Sequence, residues 1–207
     1  EAAAFLGAIG RLHNSGQSCC ATKRLLVHEA SHDGLVAELS RVFAAQTLGD
    51  PAEPRTTIGP LYGGAAACEA LLALAVDAVS HGARVHVGGQ TLPPSQTSEA
   101  ALRARLIAVQ QAGHFFAPTL LLDATAGMRC MHEESFGPLL PVCRIRGPTA
   151  ASGDPHGEAA AALEVAASSR YGLTASVWTG VGELASRFVE GMGVIGPEPR
   201  TNALKVP

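Results

Sequence analysis

The sequence predicts an α/β domain, a mainly parallel sheet flanked by helices. Two observations carry this. Short apolar runs of strand length alternate along the chain with longer segments whose apolar residues recur at helical spacing. Such alternation implies right-handed βαβ crossovers and a sheet covered on both faces. The composition agrees: 47% of the 207 residues are hydrophobic and 16% charged, which allows a real core. Only 4% are aromatic, so that core must be built from Ala, Leu and Val.

Ala2–Leu12 is an Ala-rich helix that leads into the turn Asn14-Ser15-Gly16-Gln17-Ser18-Cys19-Cys20-Ala21. Arg24–His28 (RLLVH) reads as a short apolar strand. Ser31 is placed to cap a helix running through Leu48, with Leu35, Val36, Leu39, Val42 and Phe43 on one face. Gly49–Gly64 is a Pro/Gly loop. Ala65–His81 is a second long helix, and Gly82 stands where a left-handed C-terminal cap is expected. Arg84–Val87 is a strand closed by Gly88-Gly89. Thr119–Leu122 and Leu139–Ile145 are further strands, separated by Met128–Pro138. Helix Glu158–Ser169, strand Thr174–Trp178, helix Val181–Glu190 and a last strand opening at Val194-Ile195 complete the series. Two stretches interrupt it. Gln90–Gln111 (residues 90–111) begins as a polar, Pro-containing loop and continues as a surface helix, so it reads as an insert; Gly147–Gly157 is a second soft loop.

Several function classes are disfavoured at once. A net charge of −3 with scattered Lys and Arg gives no footprint for nucleic acid or an anionic membrane. No apolar run, that around Ala70–Ala75 included, approaches the roughly 20 residues of a membrane span. The five cysteines are odd in number, irregularly spaced and without a CxxC pair, which points to a reducing compartment, the cytoplasm. The chain opens on Glu1, so a targeting peptide would lie outside this sequence and a mitochondrial destination stays open.

Three segments carry candidate chemistry. A cysteine in a tight Gly-containing turn is solvent-reachable and surrounded by backbone N–H groups, which favour the thiolate nucleophile. Gly16 permits the tight geometry and Gln17 supplies a polar group. Adjacent residues entering a strand or helix point in different directions, so only one of Cys19 and Cys20 should face a shared pocket, and the turn alone does not choose between them. His28-Glu29-Ala30-Ser31-His32 is a literal HExxH, but His28 ends a strand where the zinc motif needs a continuous helix, so a solvated junction is the better reading and no metal is expected. Glu133 and Glu134, before Phe136-Gly137-Pro138, can bind sugar hydroxyls or act as acid and base, although an isolated carboxylate pair is more often merely solvated. No GxGxxG or P-loop is present; Gly63-Gly64, Gly88-Gly89, Gly191 and Gly193 are turn glycines.

Together, these segments resemble the aldehyde dehydrogenase superfamily over nearly the whole chain. NSGQSCCATKRLLVHE is similar to the family's cysteine signature and the strand after it. GDPAEPRTTIGPL, AVSHGARVHVGG, GHFFAPTLL, MRCMHEESFGPLLPVCRI and SSRYGLTASVWT resemble later family blocks, in the family's order. The resemblance implies an aldehyde dehydrogenase catalytic-domain-like fold, incomplete, over residues 1–207. It implies Cys19 as the nucleophile, Glu134 as the contact of the nicotinamide ribose and Phe136 as the residue packed near the nicotinamide ring. The implied reaction is oxidation of a small-molecule aldehyde to a carboxylic acid by NAD or NADP, through a thiohemiacetal and a thioester on Cys19. A homo-oligomer is implied for the full-length protein.

The departures are also specific. The family's dinucleotide-binding segment, oxyanion asparagine and general-base glutamate lie upstream of its cysteine and are expected outside this sequence. The C-terminal oligomerisation arm is expected beyond Thr201–Pro207. The insert at 90–111 widens the interval between Cys19 and Glu134. The alternative reading is a non-catalytic, truncated or paralogous domain serving as a structural or interaction module. On either reading the isolated chain is expected to have negligible dehydrogenase activity and poor solubility.

Overall fold

The computed structural model describes residues 2–87, 90–91, 114–146, 155–192 and 203–204. Helix α1 (Ala2–Leu12) enters a 3-10 turn (His13–Gly16) and the cysteine loop, after which strand β1 (Leu25–His28) runs into α2 (Glu29–Ala44). Helix α3 (Gly64–Ser80) precedes β2 (Arg84–Val87) and the two-residue β3 (Gln90–Thr91). Strand β4 (Thr119–Leu122), a 3-10 turn (Arg129–Met131) and β5 (Leu139–Ile145) follow. Helix α4 (Pro155–Ala167), β6 (Ala175–Ser176), α5 (Gly182–Met192) and β7 (Ala203–Leu204) close the described chain.

Five strands form one sheet in the order β1-β5-β4-β2-β3. Its centre is parallel: Leu25 pairs with Val142 and His28 with Ile145, while Thr119 pairs with Leu139. Strands β2 and β3 extend it antiparallel, with Val85 opposite Leu121 and His86 opposite Thr91. Strands β6 and β7 form a separate parallel pair. The α/β class and the helix-flanked, mainly parallel pairing agree with the sequence reading.

The side-chain period of two divides the core into layers. Leu121, Leu139, Cys143 and Ile145 face one side, against Leu71, Leu72, Ala75 and Ala78 of α3. Leu120, Leu122, Leu140 and Val142 face the other, against Ala4, Ala8 and Leu12 of α1 and Leu39 and Phe43 of α2. Strands buried on both faces read as continuous apolar runs, which is why TLLL and LLPVCRI carry almost no polar residues. Helix α4 lies on the α3 side, where Ala161, Ala162 and Val165 pack against the core. Arg24 fastens it there, donating to the carbonyls of Val165 (3.1 Å) and Ala166 (3.0 Å) in its last turn.

Several boundaries move. The second helix starts at Glu29 rather than after Ser31, because His28 is its cap: the ring Nδ1 accepts from the Ala30 N–H at 3.0 Å. It ends at Ala44, and the loop 47–58 is held instead by a cross-loop ladder in which the Thr47 carbonyl accepts from both Thr57 and Ile58. Gly82 does cap α3: at φ +98° it donates to Val79, and Ala83 donates to Ala78, the paired bonds of a Schellman ending. Pro155 starts α4 three residues earlier than Glu158, at a position where a missing N–H leaves no carbonyl unserved. The strand expected over Thr174–Trp178 shortens to Ala175–Ser176. Most of the insert at 90–111 and the strand at Val194-Ile195 lie outside the described residues. Among the described residues no helix is long and apolar enough to cross a membrane.

Candidate active site

The cysteine loop is built on consecutive residues in the left-handed region: Asn14 (φ 51°), Ser15 (φ 56°) and Gly16 (φ 77°). Only Gly enters this region freely; Asn tolerates it, and Ser is held here by contacts. The run reverses the chain directly after α1. Asn14 and Gln17 lock it reciprocally, Asn14 Nδ2 donating to the Gln17 carbonyl (3.1 Å) and Gln17 Nε2 to the Asn14 carbonyl (3.2 Å). Ser15 Oγ donates to the Gly59 carbonyl at 3.1 Å and accepts from the Gly59 N–H at 3.0 Å, and Gln17 Oε1 accepts from the Tyr62 N–H at 2.7 Å. Gln17 is therefore not a polar group offered to a thiol; it anchors the turn to the 59–62 loop.

Cys19 and Cys20 both stand exposed, with their sulfurs 3.8 Å apart. The expectation that one of the pair would turn away fails, because alternation belongs to strands and helices and both residues sit in a turn. The hydrogen bond with Cys19, and then its charge, push the Cys20 thiol above its ordinary value.

The segment 133–138 lies against this turn. Two glycines make the approach: a Cβ on Gly16 would stand 2.3 Å from the Gly137 carbonyl oxygen, and one on Gly137 would stand 2.1 Å from Leu71 Cδ1. Two cations bolt the segments together. Arg11, fully buried, donates to the carbonyls of Gly16 (2.5 Å) and Ser135 (3.1 Å), to Ser135 Oγ (3.1 Å) and to the Thr22 carbonyl (3.2 Å). Burial pulls its pKa down to about 10, opposed by the charge of Glu134. Lys23 Nζ donates to the carbonyls of Ser18 (2.8 Å) and Ser135 (2.9 Å), stands 3.5 Å from Glu134 Oε1 and lies 4.3 Å from the centroid of the Phe136 ring. Neither cation was singled out from the sequence. Their contacts with Ser135 span more than a hundred residues, which no local pattern reveals.

Glu134 and Phe136 reach solvent from this junction, the Phe136 ring at 44% exposure. The two glutamates separate in role. Glu133 is held below the usual carboxylate range by a bidentate pairing with Arg129 at 2.6 and 3.0 Å, whereas Glu134 faces Lys23. The structure thus brings together Cys19, Glu134 and Phe136 as neighbouring segments of one surface.

The HExxH string serves structure. His28 caps α2, Glu29 bridges Arg144 (2.6 Å) and Arg146 (2.9 Å), and buried His32 bonds Asp33 at 2.9 Å. Among the described residues, no three His, Cys, Asp or Glu side chains cluster to hold a metal.

Comparison with known proteins places these features in a family. The aldehyde dehydrogenase family model matches residues 1–195. The chain is 37% identical to a succinate-semialdehyde dehydrogenase [NADP(+)] of Deinococcus radiodurans over 183 residues, 88% of this chain and 32% of that protein. It is 34% identical to a lactaldehyde dehydrogenase of Escherichia coli over 183 residues, again 88% and 32% of the two chains. It therefore spans about a third of the length of these relatives. Among solved structures, the E. coli lactaldehyde dehydrogenase superposes with a TM-score of 0.71 at 32% identity, covering 92% of this chain and 34% of that one. An NAD-dependent aldehyde dehydrogenase from Sinorhizobium meliloti superposes with a TM-score of 0.69 at 28% identity, covering 91% and 32%. With a family model matched over nearly its whole length, the chain belongs to the aldehyde dehydrogenase family.

Proposed function

We propose that the full-length protein oxidises a small aldehyde to its carboxylic acid with NAD(P)+, and that this chain supplies the nucleophile, Cys19, and the contacts of the cofactor's nicotinamide end, Glu134 and Phe136. The observation that carries this reading is the junction itself: the exposed Cys19 turn is bolted to the segment 134–136 by Lys23, Arg11 and the Gly16–Gly137 approach.

The residues fit the cofactor's nicotinamide riboside. A carboxylate accepts from two hydroxyls at once, which suits Glu134 to a ribose diol, and the exposed Phe136 ring offers an apolar face. NAD(P)+, when bound, supplies the hydride acceptor. The chain's own chemistry falls on Cys19. Its thiolate attacks the carbonyl carbon and forms a carbon–sulfur bond, and the carbonyl oxygen becomes an oxyanion. The Cys19 N–H has no acceptor among the described residues, and we assign it as one oxyanion donor. Loss of the aldehydic hydrogen as hydride leaves a thioester on Cys19. Water then cleaves the carbon–sulfur bond, releasing the acid and returning the thiol. Cys20 stands beside it with its own thiol raised by the hydrogen bond with Cys19, and the choice of Cys19 rests on the resemblance of the turn to the family's cysteine signature.

The proposal includes a cytoplasmic homo-oligomer, the compartment argued from the odd number and irregular spacing of the cysteines. The test is NAD(P)H production by the full-length protein. Cys19→Ala is expected to lower kcat by on the order of 10³-fold or more, with Cys20→Ala active. The reverse ranking would overturn the assignment.

A further inference from the structure

Lys23 does more than brace a loop, and its contacts differ in kind from those of Arg11. Arg11 is wholly buried and directs its bonds to three backbone carbonyls and one hydroxyl. Lys23 is partly exposed and touches Glu134, Phe136 and the residue before Cys19. Its ammonium has three donors. Two are taken by Ser18, the residue before Cys19, and by Ser135, the residue between Glu134 and Phe136; Glu134 itself stands within ion-pair distance, and the Phe136 ring lies under the charge.

We infer that Lys23 is a positioning residue that sets the spacing between the Cys19 nucleophile and the cofactor contacts Glu134 and Phe136. The inference rests on the function proposed above. A single ammonium bridging Ser18 and Ser135 fixes the two segments at one separation, and rigid placement lowers the cost of ordering them when the cofactor arrives. The same cation lies on the cysteine side of the junction, where positive charge favours a thiolate over a thiol. Burial and the charge of Arg11 lower the Lys23 pKa, while Glu134 and Cys19 act in the opposite direction. Arg11 holds the backbone of the junction independently, so removing the Lys23 charge should loosen Glu134 and Phe136 without unfolding the domain.

The test uses Lys23→Gln and Lys23→Arg in the full-length protein. Gln retains two N–H donors and removes the charge; Arg retains the charge. Two readouts are needed: the Kd for NAD(P)+ by calorimetry, and the pH midpoint for alkylation of Cys19 by iodoacetamide, mapped by peptide mass spectrometry. Lys23→Gln is expected to weaken cofactor binding about tenfold and to move the alkylation midpoint to higher pH, and Lys23→Arg to recover both in large part. Unchanged affinity and an unchanged midpoint in Lys23→Gln would overturn the inference. A lowered melting temperature with both readouts intact would also overturn it, by showing a merely structural brace. The function proposed above fails separately, if the unaltered protein does not bind NAD(P)+ or if Cys19→Ala retains full activity. The alkylation readout needs no turnover.

Discussion

At the scale of single residues, the vicinal thiols give the clearest chemistry. The hydrogen bond with Cys19 is the largest cause of the raised Cys20 pKa, so removing it should let Cys20 ionise more easily. In Cys19→Ala, the pH midpoint for alkylation of Cys20 is expected to fall toward the ordinary thiol value; a midpoint that stays put would mean the pair is uncoupled. Cys130 is raised too, but from a different cause. Burial first, then the charge of Asp77, push its thiol up from 9.0 to about 12. Between those values the unfolded chain has lost the proton and the folded chain keeps it, so stability falls as pH rises above about 9. Melting temperatures taken from about pH 8 to 11 should decline more steeply for the parent than for Cys130→Ala. Only part of this scale was open to a reading of the sequence. Cys19, Glu134 and Phe136 stand out because they sit in unusual local strings, whereas Lys23 and Arg11 look like ordinary charges near a helix end. Their meaning is created by Ser135, 112 and 124 positions away.

At the scale of elements, two glycines of similar appearance should answer substitution with opposite signs. Gly34 lies inside α2, and a methyl group added there would meet nothing within 4 Å, so Gly34→Ala should stabilise by about 0.5–1 kcal/mol through helix propensity alone. Gly16 combines φ +77° with a Gly137 carbonyl oxygen that an added Cβ would meet at 2.3 Å, so Gly16→Ala should destabilise by about 1–2 kcal/mol from backbone conformation, before the clash is counted. Denaturant unfolding of both variants checks the pair, and a common sign would contradict it. Element existence was largely legible because the apolar runs of β4 and β5 and the faces of α2 and α3 are strongly patterned. The shifted start of α2 shows the limit. Ser31 is the favoured cap by residue type, yet His28 takes the role, because the helix starts where β1 leaves the sheet, which its pairing with β5 decides. The antiparallel pairing of β2 with β4 was equally hidden, since pairing direction leaves no mark on strands of four residues.

At the scale of the whole molecule, the described surface carries apolar side chains a compact domain would cover. Phe5 (51%), Leu6 (49%) and Ile9 (42%) lie along one side of α1, and Tyr171, Leu173, Trp178 and Val181 are exposed together near β6 and α5. Strand β1 ends the described sheet on one side, with its outer edge unpaired among the described strands. The chain spans about a third of its relatives' length, and the 207-residue chain alone is expected to self-associate in size-exclusion chromatography. A monodisperse monomer with one cooperative melt would contradict this. Activity belongs to the same scale, since Cys19, Glu134 and Phe136 are proposed to act only within the full-length protein. The decisive experiment is therefore to quench that protein during turnover of an aldehyde with NAD(P)+ and to map the acylated residue by peptide mass spectrometry. An acyl group is expected on Cys19, and none when NAD(P)+ is withheld. NAD(P)H formation with the acyl group on Cys20, or with no acyl-enzyme at all under rapid quench, would contradict the role proposed for Cys19.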